Sequence, residues 1–294
     1  MNIVVTGGGG FVGSHLARHL QQQGHTVFGV VRSKHPTTPD KLPGVEILEC
    51  DLETITAFKR NFDVLIHCAA EIPTLCLDPD YLFEKNVNIN KKTFEAALKA
   101  GVSKFIFCSS MSAFGKISVH EVNPSTPTYE PEDYGKSKLV GENILEEIVS
   151  RSGNICAVSL RLPGVVGVGS HDNFLSEVVN NMLAGRAIQA RNPDALFNNI
   201  LPITNLCNFV ELLASEMPRG HRVLTLAASQ PAPLKRVLEE IQFGANTDVS
   251  ISFKGKTPTF LISSNDAVSL GYKPPNTLAA ARCFGQMCME SLFG

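Results

Sequence analysis

Short apolar, β-branched runs alternate along this chain with longer stretches of helical period. The runs that read as strands are Ile3–Val5, Thr26–Val31, Val45–Leu48, Val64–His67, Phe105–Ser109, Ile155–Leu162 and Val223–Ala227. Several lack an in-out alternation, the pattern of parallel strands covered on both faces. Between them, Phe11–Gln23 sets Val12, Leu16 and Leu20 on one helical face, and Asn86–Ala100 does the same with Phe94, Ala97 and Leu98. A third helix, Tyr134–Ser150, carries Leu139, Ile144, Leu145 and Ile148. Gly24 and Gly101 end the first two, where a left-handed residue is convenient. The rhythm predicts an α/β fold, a doubly wound parallel sheet whose ligands sit at the carboxyl ends of the strands.

That rhythm weakens after Leu162. Gly-rich turns follow Pro163, then a helix candidate at Phe174–Leu183 and Pro-rich joints around Pro231–Pro233 and Pro274–Pro275. The expected division is residues 1–165 as the sheet domain, rejoined by a strand near 223–227, and residues 166–294 as mainly a smaller, partly interleaved substrate lobe. With 26 Lys plus Arg against 28 Asp plus Glu in 294 residues, the net charge of -2 offers no basic surface to a nucleic acid. Hydrophobic residues at 44% allow a large core and exclude disorder as the main character. No apolar run nears the ~20 residues that cross a bilayer. The strand-like start, Met1-Asn2-Ile3-Val4-Val5, has no secretory layout, so a cytoplasmic protein is expected. The eight cysteines (Cys50, Cys68, Cys76, Cys108, Cys156, Cys207, Cys283, Cys288) form no C-x-x-C pair. They read as reduced thiols, and no metal site is expected.

The chemistry begins with Thr6-Gly7-Gly8-Gly9-Gly10-Phe11-Val12-Gly13, between the first strand and the first helix. Gly7, Gly10 and Gly13 let the backbone turn tightly, approach a pyrophosphate and pack the helix on the sheet, while the helix N-terminus offers N–H groups to the phosphates. The second strand ends Val31-Arg32-Ser33-Lys34, without the acid that would accept from the adenine-ribose hydroxyls of NAD. Arg32, helped by Ser33 or Lys34, suits the 2′-phosphate of NADP instead. Asp51 is placed to accept from the adenine amino group. Ala69 and Ala70, after His67-Cys68, leave room above the sheet edge. His67 reads as a strand-end histidine rather than a proton carrier.

In Tyr134-Gly135-Lys136-Ser137-Lys138, the spacing of four puts Tyr134 and Lys138 one turn apart on one face. An ammonium beside a phenol favours the phenolate, making Tyr134 a candidate acid and base for a secondary alcohol or ketone. Lys138 could also hold the nicotinamide-ribose hydroxyls. The strand Phe105–Ser109 runs into Ser110, whose hydroxyl could orient the substrate oxygen; Ser109 and Ser112 read as turn or capping residues. No Gly-x-Ser-x-Gly elbow of a serine hydrolase is present.

Together these segments resemble the extended short-chain dehydrogenase/reductase family, of the NAD(P)-dependent epimerase/dehydratase type. The resemblance rests on TGGGGFVG at Thr6–Gly13, Asp51-Leu52, HCAA at His67–Ala70 and Asn86-Val87-Asn88. It continues through CSSMSAFG at Cys108–Gly115, YGKSK at Tyr134–Lys138, RLPGVVGVG at Arg161–Gly169 and, weakly, Leu270-Gly271-Tyr272-Lys273-Pro274. It implies a Rossmann-type domain and a Ser–Tyr–Lys trio of Ser110, Tyr134 and Lys138. It also implies cofactor contacts from Gly7, Gly10, Phe11, Val12, Arg32, Asp51, Leu52, Ala69, Ala70 and Lys138. Pro163 and Val166 would then lie near the nicotinamide, with Asn86 ordering the loops at the site's floor. A homodimer through the helices at 86–100 and 134–150 is implied in the same way.

Two departures from the family pattern matter. Its acidic pair after a His-Val is replaced by Pro202-Ile203-Thr204-Asn205, and the Asp-Glu pair of sugar-nucleotide dehydratases is replaced by Met111-Ser112. Dehydration is therefore disfavoured. The resemblance leaves oxidation, reduction or epimerisation at a secondary carbon, with a nucleotide sugar as expected substrate, and Arg32 favours NADP over NAD as the cofactor. The alternatives are a ketone reductase of a non-sugar substrate and a silent NADP(H)-sensing regulator. In the substrate lobe, His171, Asn173 and Arg191 are candidates to line the pocket.

Overall fold

Seven strands form one sheet in the structure, a computed structural model that describes residues 1–32, 42–56, 58–73 and 79–292. Along the chain these are β1 (Asn2–Thr6), β2 (Thr26–Val31), β3 (Glu46–Glu49), β4 (Val64–His67), β5 (Lys104–Ser110), β7 (Cys156–Leu162) and β12 (His221–Thr225). Outside this sheet lie β6 (Glu121–Val122), β8 (Val165–Val166), β9 (Ile188–Ala190), β10 (Leu196–Phe197) and β11 (Leu201–Pro202). The spatial order within the sheet is β12-β7-β5-β4-β1-β2-β3. The chain order reverses between β1 and β4, which pair in parallel from Ile3 opposite Val64 to Thr6 opposite His67. Such a reversal opens a crevice at the carboxyl ends of the two strands, because their connections leave in opposite directions.

The helices on this sheet include α1 (Phe11–Gln22), α2 (Pro79–Lys99) and α3 (Asp133–Arg151). The continuous apolar strands are buried as their lack of alternation requires, with Ile3, Val4, Val5, Leu65, Ile66, Phe105 and Ile106 all fully inaccessible. Phe94, Ala97 and Leu145, from α2 and α3, pack on Leu65, Phe105 and Phe107.

The chain divides into two compact units. The first contains Met1–Gly115, Thr128–Arg161 and Cys207–Leu224, and the second Lys116–Pro127, Leu162–Leu206 and Thr225–Gly294. The second unit is built from short ladders: β8 (Val165–Val166) with β11 (Leu201–Pro202), β9 (Ile188–Ala190) with β14 (Ile251–Phe253), and β10 (Leu196–Phe197) with β13 (Ala232–Pro233). A fourth ladder joins β6 to β15 (Leu261–Ile262). Its helices include α4 (Phe174–Leu183), α6 (Leu234–Gly244) and α8 (Thr277–Glu290), whose Val178, Val179, Val237, Ile241 and Phe284 share one apolar core. Between the β11 and β12 strands runs α5 (Ile203–Ser215), and α7 (Asn265–Ser269) is a short turn of helix. No helix among the described residues is long and apolar enough to cross a membrane.

Candidate active site

The turn after β1 is built by glycine. Gly7 has φ +70°, and a side chain there would meet the Ala69 nitrogen at 2.9 Å. A Cβ on Gly13 would stand 2.2 Å from the Gly7 carbonyl oxygen, so the first turn of α1 lies directly on the loop. The Gly10 N–H donates to the Gly7 carbonyl at 2.9 Å, and no side chain caps the start of α1. Uncapped N–H groups and the positive end of the helix dipole face a loop with no room for a Cβ at Gly7 or Gly13, which is the arrangement that takes phosphate.

Beside this turn opens a cavity of about 540 Å³, lined by Gly7–Gly10, Arg32, Asp51, Leu52, Cys68, Ala69, Ala70 and Glu71 among others. The turns after β1, β2, β3 and β4 thus converge on one space. Of the residues expected at a dinucleotide site, Gly7, Gly10, Arg32, Asp51, Leu52, Ala69 and Ala70 are in its wall. Phe11 and Val12 open α1 and Gly13 packs against the turn. Ser33 and Lys34 fall outside the described residues, as does Cys76. Asp51 caps its own turn by accepting from the Glu53 N–H at 3.0 Å. Glycines that a Cβ would crowd, an open helix end and a cavity of this size fit a nicotinamide dinucleotide.

Asn86 is buried and binds the backbone of residue 71 in both directions, accepting from its N–H at 2.8 Å and donating to its carbonyl at 3.0 Å. It therefore shapes the turn after β4 rather than offering a free amide. Its neighbour one turn on, Asn90, escaped the sequence reading. Asn90 accepts from His67 Nε2 at 3.0 Å and donates to the Ser137 carbonyl at 3.1 Å, tying β4 to α3. His67 also meets the Thr6 hydroxyl at 2.6 Å and is fully buried. Burial, with the nearby Lys138 charge, pushes it down to about 3, so it stays neutral at physiological pH.

The end of β5 presents the serines. Ser110 caps the 3₁₀ turn Met111–Phe114, its hydroxyl accepting from the Ser112 N–H at 3.1 Å and donating to the Ser112 hydroxyl at 3.1 Å. Ser109 is buried and donates to Glu142, which forms a buried two-point pair with Arg161 at 3.0 and 2.7 Å. The Arg161 guanidinium in turn lies 4.4 Å from the centre of the Phe114 ring. Ser109 is thus structural, and it holds the strand that carries Ser110.

On α3, Tyr134 is half-buried and Lys138 is only 3% exposed. The Lys138 ammonium sits 5.4 Å from the Tyr134 ring centre and donates to the Cys108 carbonyl at 2.9 Å. A Cβ on Gly135 would lie 2.1 Å from the Ser112 carbonyl oxygen, so the start of α3 is wedged against the turn that begins with Ser110. The trio is joined to the cavity through Cys108, whose Sγ lies 3.4 Å from that of Cys68 in the cavity wall. In the second unit, Val166 is fully buried in the core, Pro163 precedes β8, and Asn173 caps α4 by accepting from the Ser176 N–H at 3.0 Å.

One other constellation has the distances of a hydrolytic triad. Ser159 Oγ is 2.9 Å from His221 Nε2, and His221 Nδ1 is 2.9 Å from Glu146 Oε2. Ser159 is wholly inaccessible inside β7, so no substrate reaches it, and the three residues clamp β7, β12 and α3 together.

The chain matches the NAD dependent epimerase/dehydratase family over residues 3–203. A sterol-4-alpha-carboxylate 3-dehydrogenase, decarboxylating, from Dictyostelium discoideum is 29% identical over 192 residues, which cover 60% of this chain and 57% of the relative. The UDP-glucose 4-epimerase of Streptomyces lividans is 24% identical over 300 residues, covering 92% of this chain and 91% of that one. A solved structure of UDP-glucose-4-epimerase from Stenotrophomonas maltophila, with bound NAD and formylated UDP-arabinopyranose, has a TM-score of 0.84 at 20% identity, over 100% of this chain and 99% of that one. That likeness is one of fold. The family match starts in β1, takes in the glycine turn, Ser110 and the Tyr134–Lys138 helix, and ends at Ile203: the chain belongs to the NAD-dependent epimerase/dehydratase family of extended short-chain dehydrogenases/reductases.

Proposed function

We propose that this protein is an NAD(P)-dependent oxidoreductase or epimerase acting on a secondary hydroxyl or keto carbon of a nucleotide sugar, with NADP as its preferred cofactor. The observation that carries the reading is the wedge of Gly135 against Ser112, which sets the Tyr134–Lys138 face beside the Ser110 turn. When bound, the nicotinamide supplies hydride acceptance and donation. Gly7, Gly10 and the start of α1 hold the pyrophosphate, and Arg32 at the cavity rim takes the 2′-phosphate. Ser110 exchanges its bond to Ser112 for one to the substrate oxygen. Tyr134 takes the hydroxyl proton in oxidation and returns it in reduction. Lys138, fixed by the Cys108 carbonyl, stabilises the phenolate that results.

Elimination of water from the sugar is disfavoured, since Met111 and Ser112 stand where an acidic pair would act. The UDP-glucose 4-epimerase relative supports the nucleotide-sugar substrate. The sterol carboxylate dehydrogenase relative supports a second reading, oxidation or reduction at a non-sugar secondary carbon. A silent sensor of NADP(H) is disfavoured because all three chemical side chains are present. The homodimer through α2 and α3, and a cytoplasmic location, belong to the same proposal.

The test is to dialyse the purified protein exhaustively, measure retained nicotinamide, and offer panels of nucleotide sugars, sterols and hydroxy acids. An epimerase keeps its cofactor and interconverts two sugars; a reductase or dehydrogenase exchanges it and changes absorbance at the reduced-nicotinamide band. Turnover only with sterols or hydroxy acids supports the second reading. Tight cofactor binding with no turnover on any panel contradicts both.

A further inference from the structure

We infer that Glu71 sets the balance between NADP and NAD by competing with the 2′-phosphate for Arg32. The inference rests on the Arg32 reading proposed above and adds a residue that the sequence reading passed over. Glu71 follows Ala70 in the turn after β4 and lines the same cavity as Arg32 and Asp51. Its side chain is 7% exposed, whereas that of Arg32 is 67% exposed, and the two form an ion pair. The tip of β2 has no acid to accept from the ribose hydroxyls. The structure supplies one beside Arg32 from β4 instead.

The position of this carboxylate does not depend on Arg32. Asn86 clamps the residue-71 backbone from both sides, and Lys85 Nζ lies 3.4 Å from the same Oε1 that Arg32 contacts. Lys85 also reaches Glu53 at 3.5 Å, another residue of the cavity wall. Burial works against the Lys85 ammonium, but the Tyr81 hydroxyl and the two carboxylates outweigh it, so the charged form is favoured. Glu71 therefore has a second cation to fall back on. When a 2′-phosphate with about -1.5 to -2 charges arrives, Arg32 can turn to it without leaving a bare buried carboxylate.

NAD brings no group that draws on Arg32 and leaves the pair intact. NADP must break it. Breaking one charge-assisted pair to make another offsets part of what the 2′-phosphate gains from Arg32. Glu71 thus weighs against NADP alone, and removing its charge shifts the preference.

The test is titration of NADP and NAD against the full chain, as wild type, Glu71→Gln, Arg32→Ala and the double variant. Glu71→Gln is expected to tighten NADP by about tenfold, equivalent to ~1.4 kcal/mol, and to leave NAD within about twofold. The tightening should vanish in the Arg32→Ala background, as a coupling between two touching residues requires. Equal changes for both nucleotides, tightening that persists without Arg32, or weaker NAD with unchanged NADP overturns the inference; the last marks Glu71 as the ribose acceptor. Arg32→Ala alone separates the two levels. If it costs no NADP affinity, the Arg32 reading itself fails; if it does and Glu71→Gln gains nothing, only the Glu71 role fails. Glu71→Asp, which draws the charge back from Arg32, provides a second variant and should shift the ratio in the same direction by less.

Discussion

The ammonium of Lys138 lies 2.9 Å from the carbonyl oxygen of Cys108, two residues before Ser110 on β5. A flexible lysine is thereby held at one point of the sheet edge, under the aromatic ring one helical turn before it. Lys138→Met removes the charge and leaves the Cys108 carbonyl without its donor. The expected loss is about 10²–10⁴-fold in kcat at saturating cofactor, with a cost of about 1–3 kcal/mol in urea unfolding. A variant that turns over normally would separate Lys138 from the chemistry.

Gly13→Ala would place a methyl group 2.2 Å from the Gly7 carbonyl oxygen. Backbone must move, because neither atom belongs to a side chain that can swing away. We expect a stability loss of about 1–3 kcal/mol and weaker binding of NADP and NAD alike, read by thermal melting and nucleotide titration. Weakening of one nucleotide alone would show that the turn does more than cradle the shared pyrophosphate.

His67 ties stability to pH. Its ordinary value is 6.5, and burial first, then the charge of Lys138, lowers it to about 3 in the fold. Between those limits the unfolded chain binds a proton that the folded chain does not, so stability falls as pH falls below 6.5. The slope is about 1.4 kcal/mol per pH unit, or ~2 kcal/mol by pH 5. Urea titrations at pH 7.5 and 5 should show that His67→Gln loses about 2 kcal/mol less than the wild type across this interval; equal losses contradict the assignment.

What the sequence disclosed was local chemistry. The glycine turn and the four-residue spacing of Tyr134 and Lys138 each lie within one turn of chain, so their geometry follows from covalent structure and helical period. The pairs that organise the site are distant: Arg32 and Glu71 are 39 residues apart, His67 and Asn90 are 23, and Glu142 and Arg161 are 19. Nothing in an unfolded chain marks such residues as neighbours. The helix α2 opens at Pro79 rather than Asn86, seven residues earlier than the sequence reading placed it. Proline at a first helical position was the available signal. The ladder of Glu121–Val122 with Leu261–Ile262 is two residues long and carries no period to read.

Tyr134→Phe deletes one oxygen and tests the account most directly. With NADP and NAD titrated by fluorescence, and turnover followed on whichever substrate the panels identify, both nucleotides should bind within about twofold of wild type while kcat falls by about 10²–10⁴-fold. Turnover that survives the substitution would contradict the account.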